Sequence, residues 1–401
     1  MDVIIVGAGA SGLMGGILLA QKGHQVRILE AGDRPGKKLL ATGNGRCNYT
    51  NIGIDISRFH GDNPKFACSA LANFAYEDAK DFFASLGMET KVLSKGRAYP
   101  RSLESRAVLD LLVLNFEVLG GKIIYDEKVR SIKKDKDFII KTEDSSYQSQ
   151  ALVLAAGGTS LKNSGSDGSG YDLAKSLGHR LIPLGPGIVQ MELESGAYKT
   201  MSGTRFDGLL SLYEGKKLVH QDQDEILFTD YGISGPTVLQ LSRRAVDIVN
   251  KGKKASFSID LFPDYSYDDL VAYLAYSLAI SKLTLGQSLV GKIHTKLIGP
   301  ILEGFDENKA ASSLAYQEVQ RLATRLKNWT FDIKGPRSME GAQVTTGGVD
   351  TRQIDPSTME SKLVDRLYFT GEIIDIDGDC GGFNLHWAWA SAALMAKSWR
   401  E

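Results

Sequence analysis

The first residues in the chain whose types and spacing could do chemistry are three glycines and one acid. Gly7, Gly9 and Gly12 form a Gly-x-Gly-x-x-Gly turn, and Glu30 follows Gly12 by eighteen residues. In this spacing the first glycine permits a tight turn, the second lets a pyrophosphate approach the backbone, and the third lets a helix pack on a strand. A carboxylate at Glu30 can accept both hydroxyls of an adenosine ribose and would repel a 2′-phosphate. The pattern therefore predicts a site for FAD or NAD rather than NADP.

The flanking sequence predicts the elements that would position this turn. We expect a strand over 2–6, a helix that begins near Ala10 and Ser11 and whose last turn ends at Gly23, and a second strand over 26–29. The N-terminus of such a helix presents unpaired N–H groups and a positive dipole end to phosphates, so Ala10 and Ser11 are candidate cofactor-binding residues. A glycine-rich turn in some other α/β protein is the competing interpretation. The strand, the helix and the acidic residue follow one another at the expected spacing, which favours a dinucleotide site. The motif does not identify the dinucleotide.

A glycine-rich, basic segment follows over residues 34–48. Small residues let a backbone run close to a flat or anionic ligand, and polar side chains between them can donate hydrogen bonds to it. A surface loop with solvated lysines is the alternative. The candidate ligand residues are Ala31, which directly follows Glu30, and within this segment Lys37, Lys38, Gly43, Asn44, Gly45, Arg46, Cys47 and Asn48.

Two later segments have the character of strands that end beneath a cofactor. The apolar run 151–154 leads into small residues, and the run 367–369 leads into Thr370 and then into glycines that open a helix near His386. Buried parallel strands followed by glycines are expected where backbone passes a nucleotide or a flavin. The candidates are Ala156, Gly157, Gly158, Gly371, Glu372, Gly381, Gly382, Phe383, Asn384 and Leu385.

The run Gly43-Asn44-Gly45-Arg46-Cys47-Asn48, followed by Thr50-Asn51, resembles the signature of a bacterial flavoprotein family that includes YhiN, BaiN and the streptococcal aminoacetone oxidase. The turn at 96–100 and the segments 226–237 and 367–385 resemble further motifs of that family. The resemblance implies bound FAD, with the loop at 43–48 beside the isoalloxazine ring. Many members have a histidine where this chain has Asp230, so a histidine proton donor at that point is not expected.

The resemblance implies an α/β fold in which a Rossmann-like FAD-binding domain of the glutathione-reductase type is interrupted by a β-rich domain and a small helical domain. The sequence pattern agrees, because apolar and polar residues alternate in short runs over 188–262, whereas helical periodicity dominates 266–330. We predict an FAD-binding domain over 1–186 plus 339–401, a β-rich domain over 187–264 and a helical domain over 265–338.

The expected reaction is hydride transfer through flavin N5 to a conjugated C=C bond of a small organic substrate, with NADH or NADPH as a transient reductant. The resemblance implies that this substrate is like a steroid enone. The glycines at 165–170 do not form a second nucleotide fingerprint, because no strand immediately precedes them. The resemblance leaves other outcomes open: oxidation of a small amine such as aminoacetone with peroxide formation, or reduction of a uridine in ribosomal RNA. A flavin-binding sensor is a further, non-enzymatic alternative.

Reduction of a double bond also needs a proton donor. The protic residues near the predicted flavin loops are Cys47, Cys380, Tyr99, Tyr231 and His386. Cys47 and Cys380 are the first candidates for a catalytic role, and a small reduced loop residue is the competing interpretation of each. The sequence shows no metal site.

Composition limits the partners. The 401 residues carry a net charge of −1, which gives no global attraction to nucleic acid, although residues 91–106 hold five basic side chains and one acid. That cluster is either a solvated surface or a site for an anionic substrate or an RNA backbone.

The apolar start has Asp2 and several glycines, unlike a signal peptide or membrane span. Three cysteines without a CxxC pair argue against a disulfide framework. We expect a cytoplasmic protein with a small-molecule substrate and no membrane contact, while the oligomeric state is not indicated.

Overall fold

The computed structural model of the chain describes residues 1–194 and 196–400. Its strands are β1 Asp2–Val6, β2 Gln25–Leu29, β3 Thr50–Asn51, β4 Phe59–His60, β5 Thr90–Val92, β6 Arg97–Pro100, β7 Lys122–Ile124, β8 Ser131–Lys134, β9 Phe138–Lys141, β10 Ser146–Ser149, β11 Ala151–Leu154, β12 Leu181–Gly187, β13 Met191–Leu193, β14 Arg205–Glu214, β15 Lys217–Phe228, β16 Gly232–Ser234, β17 Ala255–Asp260, β18 Trp329–Pro336, β19 Val344–Val349, β20 Leu367–Phe369 and β21 Asp377–Gly378.

Its α-helices are α1 Ala10–Gln21, α2 Lys37–Ala41, α3 Cys68–Asn73, α4 Tyr76–Ser85, α5 Ser105–Val118, α6 Ser169–Ser176, α7 Pro236–Asn250, α8 Tyr267–Ala279, α9 Leu285–Ser288, α10 Thr295–Ile301, α11 Tyr316–Lys327 and α12 Phe383–Lys397. The chain separates into two compact units, residues 1–187 with 342–400, and Ile188–Gly341.

The first unit is built on a parallel sheet of order β20-β11-β1-β2-β7. The central strand β1 is apolar and buried, as expected for a parallel sheet covered on both faces. Because all five strands run the same way, β1, β2, β11 and β20 end at one edge. That edge carries Gly7, Glu30, Ala155 and Thr370, so the sequence segments singled out above meet there. This confirms the Rossmann-type α/β fold.

Helix α1 can lie close to its neighbours because two of its residues lack side chains. An added Cβ on Gly15 would lie 3.1 Å from Met395 Cε in α12, and one on Gly16 would lie 2.9 Å from Phe116 Cε2 in α5. Helix α12 is buried nearly all round, which explains its lack of a polar face. The position of α1 at the sheet edge is thereby fixed by packing along its length.

The second unit contains a closed barrel of order β13-β16-β15-β14-β17-β18. Helix α7 packs on it, and α8 to α11 lie between β17 and β18 in the chain. Its interior includes the rings of Phe228, Phe257 and Phe331. The β-rich character predicted for this region is present.

One strand of the barrel was interpreted wrongly from the sequence. Residues 329–336 fall in the stretch predicted as helical, yet they form β18, which pairs with both β13 and β17. Trp329, Phe331 and Ile333 are buried on alternate positions, and this period of two marks a half-buried strand. The three-domain division itself remains a prediction.

In the part of the chain that the structure describes, no helix is long and apolar enough to cross a membrane.

Candidate cofactor site and active site

The turn between β1 and α1 has the geometry that a pyrophosphate requires. Gly7 has φ +103°, and a Cβ there would lie 2.7 Å from the carbonyl oxygen of Ala155. A Cβ on Gly12 would lie 2.0 Å from the carbonyl oxygen of Gly7. Gly9 differs, since an added Cβ would meet no atom within 4 Å. Gly9 is the N-cap of α1 and offers no side chain to the first N–H groups of the helix, at Ala10 and Ser11.

Glu30 is fixed at the end of β2 by two backbone donors. The Ala8 N–H donates to its Oε2 over 2.8 Å and the Gly32 N–H to its Oε1 over 2.9 Å. An ionised carboxylate has further lone pairs for ribose hydroxyls. Lys37 forms an ion pair with Asp33 at 2.6 Å, beside Gly32. Glu30 therefore has the chemistry and position for the ribose, and Ala31 lies in the same turn.

A polar network joins four segments that are distant in sequence. Lys38 Nζ lies 2.6 Å from Glu372 Oε2 and donates to Ser160 Oγ over 2.8 Å. Glu372 Oε1 also accepts from the Thr345 N–H over 2.8 Å. Gly158 is required here, because a Cβ on it would lie 2.3 Å from Thr345 Oγ1. Lys38, Glu372 and the strand end at 156–158 are thus brought together. Sequence reasoning missed Ser160 and Thr345, although both are polar residues close to predicted strands.

The loop at 43–51 meets the loop before α12. Gly43, Asn44, Gly45 and Cys47 all have positive φ, and Arg46 between them is exposed. Gly382 has φ +99°, and a Cβ there would lie 2.6 Å from the carbonyl oxygen of Thr50 and 2.9 Å from Asn48 Oδ1. Asn51 Nδ2 donates to the carbonyl oxygen of Gly381 over 2.9 Å.

Side chains at the start of α12 fix the same loop. Asn384 Nδ2 donates to the carbonyl oxygen of Gly378 over 2.7 Å, while Phe383 is buried and Leu385 is half-buried. Gly382 caps α12 without a side-chain hydrogen bond, so this loop also ends in an open helix N-terminus.

The turn between β1 and α1 also contacts the segment that follows β20. A Cβ on Gly371 would lie 2.6 Å from Ser11 Oγ in the first turn of α1. Ser391 Oγ accepts from the Gly371 N–H over 2.9 Å, and Trp387 Nε1 donates to the Gly371 carbonyl oxygen over 3.1 Å. The turn between β1 and α1 and the segment 370–372 are therefore in direct contact.

These residues fit FAD on the structure's own observations. Gly9 leaves open space at a helix N-terminus. The buried atoms Asn48 Oδ1 and Thr370 Oγ1 have no hydrogen-bond partner within residues 1–194 and 196–400. A buried acceptor or hydroxyl without a partner is costly, and a bound group with its own donors and acceptors would remove that cost. The assignment of individual residues to FAD atoms remains a prediction.

The candidate proton donors have different environments. Burial raises the pKa of the Cys47 thiol to about 12, with the hydrogen bond to Thr42 opposing that shift, and the side chain is wholly buried. Burial lowers the pKa of His386 to about 4. Its Nε2 lies 3.0 Å from the Phe74 carbonyl oxygen and its Nδ1 lies 2.8 Å from Thr50 Oγ1. Because a carbonyl only accepts, Nε2 carries the proton and His386 is a neutral structural group.

The other three candidates are placed as follows. Cys380 is half-buried next to Gly381, and no cysteine of the chain forms a disulfide. Tyr99 is buried in β6. Tyr231 belongs to the second unit, where the guanidinium carbon of Arg337 lies 3.7 Å from its ring centroid. Within the described residues no cluster of histidine, cysteine or acidic side chains could hold a metal ion.

Comparison with known proteins agrees with this geometry. The model of the HI0933-like protein Rossmann domain family matches residues 1–398. The chain is 37% identical to a 3-dehydro-bile acid delta(4,6)-reductase of Clostridium scindens, over 99% of this chain and 98% of that protein. It is 30% identical to ribosomal RNA dihydrouridine synthases of Haemophilus influenzae and Escherichia coli, over 98% and 99% of this chain and 97% of each relative. The chain therefore belongs to the HI0933-like family and is an FAD-dependent oxidoreductase.

Proposed function

We propose that the chain is an FAD-dependent reductase of a C=C bond conjugated to a carbonyl group in a steroid-like molecule. The observation that carries this proposal is the full-length identity of 37% to a reductase that acts on a 3-dehydro-bile acid. The glycine turn and the 43–51 loop supply a cofactor site in the same chain. Cysteines without a disulfide suit the cytoplasm, which we propose as the location.

In this proposal the residues of the first unit have distinct tasks. The N-terminus of α1 binds the pyrophosphate and Glu30 binds the adenosine ribose. The loops at 43–48 and 381–385 enclose the flavin ring. Lys38 and Glu372 neutralise each other's charge in the ion pair described above. Bound FAD would supply the hydride-transfer chemistry, with NADH or NADPH as the external reductant. The described residues contain one parallel sheet, which provides one dinucleotide site, and we assign that site to FAD. The nicotinamide reductant would therefore bind only transiently.

The test uses the purified holoprotein without oxygen. NADH or NADPH is added while the flavin absorbance is followed, and a Δ4-3-ketosteroid is then added. We expect bleaching by one nucleotide and recovery of the absorbance on addition of the enone, with a reduced steroid as product. Bleaching by aminoacetone instead, with peroxide formed on admission of air, would contradict the reductase and identify an amine oxidase.

Reduction of uridine in ribosomal RNA is the second candidate, supported by two relatives at 30% identity and by the basic segment 91–106. In that segment Lys91 is exposed, whereas Arg101 and Arg106 are paired with Glu89 and Asp110. Paired arginines are less available to phosphates than a solvated lysine, so the structure favours this candidate less than the first.

RNA binding can be tested by affinity for ribosomal RNA at increasing salt. A phosphate-binding surface would lose affinity steeply with salt, and Lys91→Gln would reduce the slope by about one. Lys133→Gln, an exposed lysine on β8, is the matched control. Weak binding with no dihydrouridine formed would exclude this candidate.

A further inference from the structure

A histidine and a buried aspartate form a pair next to the glycine loop at 381–382. Strand β4 pairs antiparallel with β21, with His60 opposite Asp377 and Phe59 opposite Gly378. Asp379 follows β21 directly, and its Oδ1 lies 2.7 Å from His60 Nε2. Sequence analysis did not single out either residue, because 319 positions separate them.

The environment of Asp379 fixes both its charge and the orientation of the imidazole. The Asp379 side chain is 0% exposed, while that of His60 is 20% exposed. Arg58 lies 3.3 Å from Asp379 Oδ2, and the Asp379 N–H donates to the Arg58 carbonyl oxygen over 2.9 Å. A buried carboxylate needs such partners to remain ionised. Since an ionised carboxylate only accepts, Nε2 of His60 carries the proton.

The second ring nitrogen of His60 is not used by the protein. Nδ1 has no hydrogen-bond partner within residues 1–194 and 196–400, and the side chain reaches the surface of the first unit. A histidine whose one nitrogen is held by a buried acid and whose other nitrogen is accessible has the arrangement of a general acid or base.

The pair is tied to the proposed flavin loop by side-chain contacts. Asp379 directly precedes Cys380, Gly381 and Gly382. The rings of Phe59 and Phe383 are 6.1 Å apart, and the Arg58 guanidinium carbon lies 5.7 Å from the Phe383 ring centroid. The strand that carries His60 therefore packs on the first residue of α12.

We propose that His60, oriented by Asp379, donates the proton that completes reduction of the C=C bond. This role rests on the reductase function proposed above. The substrate's double bond would gain two electrons as hydride from bound FAD at one carbon. The other carbon would gain a proton from Nδ1 of His60 in its imidazolium form, which leaves the neutral ring with its proton on Nε2 facing Asp379. The imidazole would then recover its proton from water through its exposed edge, so the cycle balances with the reductant already named.

Two of the protic candidates from the sequence, Cys47 and His386, are less suited to this step. Cys47 is wholly buried, and its raised pKa makes the thiol a weak acid. Both ring nitrogens of His386 are occupied by Thr50 and Phe74. Asp379 itself touches His60 and Arg58 rather than open space, so it is a positioning residue.

The test separates chemistry at the substrate from binding and redox competence of the flavin. The holoprotein is reduced with dithionite without oxygen and mixed with a Δ4-3-ketosteroid, and reoxidation is followed by absorbance. Wild type, His60→Gln, His60→Ala and Asp379→Asn are compared, with His24→Gln as a control at a half-buried histidine elsewhere. FAD content and reoxidation by ferricyanide, which needs no proton on carbon, are measured for every variant.

We expect His60→Gln and His60→Ala to slow reoxidation by the enone roughly 10²-fold, the usual contribution of a general acid. Asp379→Asn should slow it by a smaller factor. FAD content and the ferricyanide rate should stay unchanged, and added imidazole should restore part of the rate in His60→Ala. Equal rates of reoxidation by the enone in wild type and both His60 variants would overturn the proposed role of His60 and leave the proposed reductase function intact. Failure of the wild type to be reoxidised by any enone would overturn the reductase and this role with it.

Discussion

Gly9 and Gly12 lie three residues apart in one turn, yet a methyl group would meet different surroundings at the two positions. At Gly12 it would overlap the carbonyl oxygen of Gly7, whereas at Gly9 it would project into open space. Gly9 has φ −84°, which alanine adopts without strain. One glycine thus serves the fold and the other leaves room for the ligand.

This contrast predicts opposite effects of two alanine substitutions. Gly12→Ala should destabilise the apoprotein by about 1–3 kcal/mol, since a crowded core must shift. Gly9→Ala should leave the melting temperature of the apoprotein nearly unchanged but weaken FAD binding at least about tenfold, a loss of about 1.4 kcal/mol. Thermal unfolding of the apoprotein and fluorescence titration with FAD measure the two effects. Normal FAD affinity in Gly9→Ala would refute the placement of the pyrophosphate.

The neutral state of His386 has a consequence for stability against pH. Its pKa is lowered to about 4 in the fold from an ordinary value of 6.5. The unfolded chain therefore binds a proton between these values while the fold does not, so stability falls as pH decreases from 6.5 to 4. The full difference corresponds to about 3 kcal/mol. Denaturant unfolding at pH 7 and pH 4.5 should show this loss, and His386→Gln should reduce it. An unchanged pH dependence in that variant would assign the loss to other groups.

Among the elements, α12 has the most connections to the site. Through Trp387 and Ser391 it holds the segment at Gly371, and Trp389 Nε1 donates to the Tyr49 carbonyl oxygen over 2.9 Å. One buried helix therefore positions both the segment at Gly371 and the backbone that follows the loop at 43–48. Its apolar side chains pack in the core. The side chains of Trp387, Trp389 and Ser391 form hydrogen bonds with backbone groups of the candidate site.

Ser391→Ala tests this role of the helix. The change would leave the buried Gly371 N–H without its acceptor, which costs about 1–3 kcal/mol. We expect a lower melting temperature and weaker FAD binding together, because Gly371 touches Ser11 at the pyrophosphate turn. Ser398→Ala, near the end of the same helix, should have a smaller effect on stability and none on FAD affinity. Equal effects of the two substitutions would argue against a link between α12 and the site.

At the scale of the whole molecule, the sequence predicted most of the first unit because its signals are local. The glycine turn, the apolar strands and the helices each occupy a short window. The ion pair of Lys38 with Glu372 joins residues 334 positions apart, and the pair of His60 with Asp379 spans nearly as far. No local pattern encodes such pairs. Strand β18 was missed for a related reason, since its partners β13 and β17 lie far earlier in the chain.

The second unit is a continuous insertion whose ends leave and re-enter the first unit at neighbouring strands. Gly187 at the end of β12 pairs with Val344 at the start of β19. All residues proposed to bind FAD lie in 1–187 and 342–400. A short glycine and serine linker in place of residues 188–341 would therefore close β12 and β19 as a hairpin, which needs only a few connecting residues.

We expect the shortened chain to fold and to bind one FAD, and the fragment 188–341 to fold alone through its closed barrel without binding FAD. Flavin absorbance after gel filtration gives the stoichiometry, and thermal unfolding shows whether each piece is cooperative. If the shortened chain unfolded cooperatively but held no flavin, residues of the insertion would be required for the cofactor. The proposed site would then have to be extended beyond the first unit. Retention of FAD would instead assign the cofactor to the first unit alone.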